Sequence, residues 1–142
     1  MGYKRVKNLI ETINFKPLGD RRGHLVSLEH TLGAVPFEIK RVYYLFDTKP
    51  GVIRGLHAHK SLQQIAICVK GSCRFVLDDG FQRQEILLDS STKGIYIQSM
   101  IWREMHDFSD DCVLLVLASE IYDEEDYIRD YQMFLNIIRK DQ

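Results

Sequence analysis

Alternation of period two dominates most of the chain. Phe37 to Phe46, FEIKRVYYLF, places Ile39, Arg41, Tyr43 and Leu45 on one face and Lys40, Val42, Tyr44 and Phe46 on the other. Its β-branched and aromatic content suits a strand. Gln64 to Val69 alternates again and ends at Gly71. Cys73 to Leu77 and Gln82 to Leu88 flank Asp78-Asp79-Gly80, where an Asp-Gly pair can supply the positive φ of a hairpin turn. Shorter strands are expected over His24 to Glu29, after the Gly19 to Gly23 turn, and over Gly94 to Gln98. Trp102 to Phe108 is a polar-aromatic segment, and the apolar run Cys112 to Ala118 reads as a strand buried on both faces. About eight short strands separated by turns predict an all-β body, closed or sandwiched.

The period changes at Asp123. Tyr127, Tyr131, Phe134 and Ile138 recur at helical spacing, which predicts one helix over Asp123 to Lys140. Asp123 would cap it, with Glu124, Glu125 and Asp126 in the first turn and Arg139 and Lys140 in the last, as the helix dipole favours. The helix would dock on the sheet or on a second subunit, its tyrosines serving as packing. Near the other end, residues 4–15 mix apolar and charged positions and read as an extended arm.

Composition narrows the partners. A chain of 142 residues is expected to be a single domain over 1–142. With 19 Lys plus Arg against 20 Asp plus Glu, it generates no strong field for nucleic acid or an acidic membrane. No apolar run approaches the roughly 20 residues of a membrane span, and the start, MGYKRVKNLIETINF, lacks the pattern of a signal peptide. A soluble, cytoplasmic protein is expected. Cys68, Cys73 and Cys112 are odd in number and lack CxxC spacing, so buried free thiols are expected rather than disulfides or a zinc site.

Candidate chemistry concentrates in Gly51 to Gly71, GVIRGLHAHKSLQQIAICVKG. His57 and His59 lie one residue apart in an alternating run, so both imidazoles project from one face. Gln64 opens the following strand, and the two strands would share a polar patch. A pair of imidazoles can take a proton from one atom and supply one to another. The spacing resembles the first motif of the cupin superfamily of small jelly-roll β-barrels. Metal-binding cupins carry Glu where this chain has Gln64. In the nearest match to their second motif, Met100, Trp102 and Met105 stand where Pro, Gly and His are expected. Two histidines and an amide are a poor donor set for a divalent ion, so neither metal nor cofactor is expected.

Five collinear blocks carry a closer resemblance: IKRVYYLFD (Ile39 to Asp47), RGLHAHKSLQQ (Arg54 to Gln64), LDDG, WREMHDF (Trp102 to Phe108) and ASEIYDEEDYIRDY (Ala118 to Tyr131). In these the chain resembles the sugar-nucleotide 3,4-ketoisomerases that act on dTDP-4-keto-6-deoxyglucose. The resemblance implies an all-β cupin jelly roll with a C-terminal helix, a homodimer with exchanged N-terminal strands, and a metal-free shift of a ketone from C4 to C3. It makes His57 the base at carbon. His59 would orient the sugar or move a proton between its oxygens, Tyr43 would hydrogen-bond the intermediate, and Gln64 would fix an oxygen. Arg41 and Arg54 become candidates for the diphosphate, because a guanidinium can bond two phosphate oxygens at once. Arg22 and Arg103 are further substrate-binding candidates at positions where relatives differ. Arg22 is as in galactose-type members and Arg103 as in glucose-type members, so the C4 configuration of the product stays open. The implied product, a 3-ketone, suits a following transamination to a 3-amino-3,6-dideoxyhexose. Two other readings remain: a 3,5-epimerase of the same sugar nucleotide, and a non-catalytic cupin that binds it.

Overall fold

The computed structural model describes residues 8–140. Strands are β1 (Glu11–Asn14), β2 (Leu18–Asp20), β3 (Gly23–Leu25), β4 (Arg41–Leu45), β5 (Arg54–His59), β6 (Gln64–Lys70), β7 (Cys73–Asp78), β8 (Arg83–Leu88), β9 (Lys93–Ile97), β10 (Trp102–His106), β11 (Val113–Ala118) and β12 (Tyr127–Ile128). One helix, α1 (Tyr131–Arg139), follows them. Two five-stranded antiparallel sheets form, in the orders β1-β9-β6-β11-β4 and β12-β5-β10-β7-β8, with β2-β3 as a separate ribbon. Among the described residues, no helix is long and apolar enough to cross a membrane.

The core lies between the sheets, where Ala66 and Cys68 of β6 and Leu114 and Val116 of β11 meet Phe75, Leu77 and Met105. Both sheets are also covered outside. Ile65, Ile67 and Leu117 pack under Phe15, Val35 and Phe37, and Ala58 and Trp102 under Phe134, Leu135 and Ile138 of α1. That double cover explains why β6 and β11 read as nearly continuous apolar runs. Fully burying one such side chain contributes roughly 1.5–3 kcal/mol. The three cysteines are free and buried in the inner core. Cys68 Sγ lies 3.6 Å from Cys73 Sγ and 3.7 Å from Cys112 Sγ. Burial first pushes Cys112 up to about 12, while contact with Cys73 and burial raise Cys68.

The C-terminal segment departs from expectation. Instead of one helix over Asp123 to Lys140, Asp123 caps a short 3-10 turn at Glu124–Asp126. Tyr127 and Ile128 then pair with His59 and Ala58 of β5, and α1 starts only after Asp130, whose Oδ1 accepts from Met133 N at 2.8 Å. Pairing with β12 occupies the backbone groups along the edge of β5, a gain that helical periodicity does not register. The stripe Tyr131, Phe134, Ile138 is real, but Tyr127 belongs to a strand.

Other differences are smaller. The strand expected over His24 to Glu29 stops at Leu25 and pairs only with β2, in a ribbon exposed at every residue. The Asp78-Asp79-Gly80 turn is a longer loop, since Asp78 still pairs with Arg83; Asp79 Oδ1 accepts from Phe81 N and Gln82 N. From the N-terminal arm, residues 11–14 form β1 against β9 of the same chain, and residues 4–7 lie outside the described residues.

Candidate active site

A break in regular pairing aims the first histidine. On β5, His57 pairs with Arg103 of β10, but Gly55 pairs with Glu104, so Leu56 is an extra residue in a β-bulge. Gly55 and Leu56 take φ of +84° and +54°, a left-handed stretch that glycine tolerates and leucine does not favour. From that bulge His57 and His59 both face inward, their ring centroids 4.7 Å apart and edge-on. Tyr127 lies against both, at 4.9 and 4.4 Å.

Hydrogen bonds fix the tautomers. His57 Nδ1 lies 2.9 Å from the carbonyl of Gly55, which can only accept, so Nδ1 carries the proton and Nε2 keeps its lone pair. His59 Nδ1 lies 3.1 Å from Asp126 Oδ2, and its Nε2 is buried without a partner. Burial, and then the charge of Arg103, lower His57 to about 4. The same causes, with His57, hold His59 lower still; together they outweigh the Asp126 carboxylate. Both rings are neutral bases at neutral pH.

Arg103 is the source of that field. It is only 1% exposed and is lowered to about 10 by burial. Its Nη1 donates to Gln64 Oε1 at 2.6 Å and its Nη2 to the Ile101 carbonyl at 2.8 Å. Gln64 Nε2 in turn donates to the Tyr43 hydroxyl at 2.8 Å. Burial raises Tyr43, with Arg103 and Gln64 opposing. The chain Arg103-Gln64-Tyr43 therefore orients a neutral phenol and supplies positive potential behind it.

Above these groups opens a cleft of about 550 Å³, walled by Arg41, Tyr43, Arg54, His57, Tyr127 and Arg129 among others, a size suited to a substantial ligand. Arg41 stacks on Tyr43 and Tyr122 at 5.1 and 5.7 Å, and its Nε and Nη2 are buried without partners. Arg129 lies 4.1 Å over the Tyr127 ring and donates to both oxygens of Glu124. Cationic groups thus border a floor of one imidazole, His57, and the phenols Tyr43 and Tyr127, with the His59 ring packed behind.

Most of the expected site residues come together here: His57, Tyr43, Arg41 and Arg54 line the cleft, and His59 and Gln64 are buried directly behind His57 and Tyr43. Two depart from expectation. Arg103 is sealed beneath the floor, where it cannot touch a ligand unless the floor opens. Arg22 is not in the cleft: its side chain, 85% exposed, pairs with Asp20 on the β2-β3 ribbon. Tyr127, Arg129, Tyr122 and Asp126 were not foreseen, although ASEIYDEEDYIRDY contains all four.

Residues 8–139 match the family model FdtA, described as WxcM-like, C-terminal. The chain belongs to the FdtA family. It is 55% identical over 130 residues to a TDP-4-oxo-6-deoxy-alpha-D-glucose-3,4-oxoisomerase of Aneurinibacillus thermoaerophilus, covering 92% of this chain and 93% of the relative. Its fold is similar to that of a 3,4-ketoisomerase from Helicobacter canadensis, with a TM-score of 0.87, 47% identity and coverage of 91% and 96%. A 3,4-ketoisomerase variant of Thermoanaerobacterium thermosaccharolyticum with one His-to-Asn change, solved with TDP-4-keto-6-deoxyglucose, matches with a TM-score of 0.90, 41% identity and coverage of 95% and 97%. The fold of this chain is thus cupin-like, all-β with a C-terminal helix.

Proposed function

We propose that the protein is a 3,4-ketoisomerase that converts dTDP-4-keto-6-deoxyglucose to a dTDP-3-keto-6-deoxyhexose. The observation that carries this reading is the neutral His57 imidazole, its Nε2 free, in a cationic cleft with the buried His59 ring packed behind it; identity to the ketoisomerases supports it. His57 Nε2 takes the proton from C3, and negative charge develops on O4. The Tyr43 hydroxyl and the potential of Arg103 stabilise that oxygen. A proton passes from O3 to O4, C4 takes a proton that originates in solvent, and the His57 imidazolium gives its own proton up to solvent, leaving the ketone at C3 and the site unchanged. Arg41, with two unpartnered nitrogens, binds the diphosphate, aided by Arg54 and Arg129.

The reaction needs no cation. Where a metal-binding cupin would offer a carboxylate, Gln64 already accepts from a buried guanidinium, whose charge would repel a divalent ion. Stoichiometric metal with activity lost to a chelator would overturn this.

The working form is a homodimer with exchanged N-terminal strands. Support comes from the detached ribbon, with Leu18 and Leu25 exposed, and from β4 at the edge of its sheet, with Val42, Tyr44 and Phe46 exposed. Exchange would carry Arg22 to the cleft of the partner.

Incubation with dTDP-4-keto-6-deoxyglucose in deuterated water, followed by NMR, tests the reaction. The expected product has its ketone at C3 and deuterium at C4, whose configuration the same spectrum gives. Inversion at C5 with the ketone still at C4 would mean an epimerase, and binding without turnover a recognition protein. His57→Asn should lower kcat by roughly 10²–10⁴-fold while substrate still binds.

A further inference from the structure

His59 has no exposed surface and does not line the cleft, so a sugar oxygen meets its Nε2 only once the packing around it opens; the groups around it decide what it can do. Asp126 holds it from one side. The Asp126 carboxylate accepts from Ser61 N on Oδ1 at 2.8 Å, and on Oδ2 from His59 Nδ1 at 3.1 Å and Leu62 N at 3.3 Å. The Asp126 carbonyl also accepts from Lys60 N at 2.9 Å. These bonds tie the 3-10 turn to the end of β5 directly behind His59. The rings of His57 and Tyr127 pack against it at 4.7 and 4.4 Å.

We propose that Asp126 is a positioning residue for the proton transfer between the two sugar oxygens, fixing His59 as the Nδ1–H tautomer and steadying the imidazolium it becomes. An Nδ1 lone pair facing Oδ2 would set two acceptors against each other, so the proton must sit on Nδ1. Nε2 is then a bare lone pair, buried without any partner, an arrangement that costs stability. Function accounts for that vacancy. In the transfer, the O3–H bond breaks as Nε2–H forms; Nε2–H then breaks as O4–H forms, with no net change in His59. During the interval His59 is cationic and the Asp126 carboxylate is its neighbour. The transfer step rests on the ketoisomerase reading; the tautomer does not.

A merely structural role, holding the turn at Ser61 and Leu62, is the competing account, and Asp126→Asn separates the two. The amide has one acceptor oxygen. With that oxygen on Ser61 N, the shortest of the three bonds, its NH₂ faces the ring and drives the proton to Nε2. NMR of protein labelled with ¹⁵N-histidine should show Nδ1–H at His59 in the native enzyme and Nε2–H in Asp126→Asn. kcat should fall by about 10²–10⁴-fold, as for a wrong-tautomer histidine elsewhere, with KM within about twofold and partial recovery in Asp126→Glu. A native His59 already protonated at Nε2 overturns the proposal whether or not the variant folds. So does a switched tautomer with kcat unchanged. A native Nδ1–H signal beside a product other than the 3-ketone would sink the ketoisomerase reading while leaving the tautomer intact.

Discussion

Arg103 has no carboxylate partner in the described hydrogen bonds; its charge is held by an amide oxygen and one main-chain carbonyl. Leaving a guanidinium so poorly compensated is expensive, and its effect falls on the two imidazoles. Burial, and after it the Arg103 charge, lowers His57 to about 4 from the ordinary 6.5. A base must be unprotonated, so kcat/KM should stay flat from pH 8 down past 6.5 and fall only as pH approaches about 4. A profile that breaks near 6.5 would contradict that placement. In Arg103→Gln the His57 titration, followed by NMR, should move up part of the way toward 6.5, since burial, the larger cause, remains. The thiols give a second expectation at this scale: Cys68, Cys73 and Cys112 should resist alkylation in the native protein and react on unfolding. Their burial was legible in the apolar runs around them, as was the shared face of His57 and His59 in the alternation of RGLHAH. The depth of Arg103 was not, because alternation says that a residue points inward but not whether it lines a cavity or seals one.

At the scale of elements, the bulge in β5 sets the aim of the site. Its carbonyl at Gly55 anchors His57 Nδ1, and a Cβ on Gly55 would lie 3.1 Å from the Arg103 carbonyl with φ at +84°. Gly55→Ala should cost about 1–3 kcal/mol of stability and lower kcat more than it raises KM; chemical denaturation and steady-state kinetics read the two effects. The helix end offers a parallel test without a catalytic effect. A Cβ on Gly80 would approach Ile138 Cγ2 to 2.7 Å, so Gly80→Ala should loosen α1 by about 1–3 kcal/mol with kcat preserved. Most strands were legible because their inward and outward positions alternate or, in β6 and β11, are apolar on both sides. The β12 segment was not, since Tyr127 keeps helical spacing with Tyr131 although a backbone ladder holds it. The bulge escaped for a related reason: one inserted residue leaves hydrophobicity unchanged.

For the whole molecule, the two neutral histidines link folding to pH. Their native pKa values lie below the unfolded 6.5, so the unfolded chain takes up protons first as pH falls. Stability from this source is complete above 6.5 and declines below it, by roughly 1.4 kcal/mol per pH unit per histidine, until about 4 for His57. Denaturation midpoints measured between pH 7.5 and 4.5 should fall accordingly, and less steeply in His57→Asn. The two-sheet body was legible as a count of strands and turns, whereas the place of Arg22 was not, because the geometry of a ribbon leaving the body is absent from local pattern. That ribbon has a consequence for mixtures. If each cleft borrows Arg22 from the other chain, then Arg22→Ala and His57→Asn proteins, each inactive alone, should complement one another. Unfolded and refolded together, they would form hybrids with one whole catalytic centre apiece, and turnover would reappear from two dead parents.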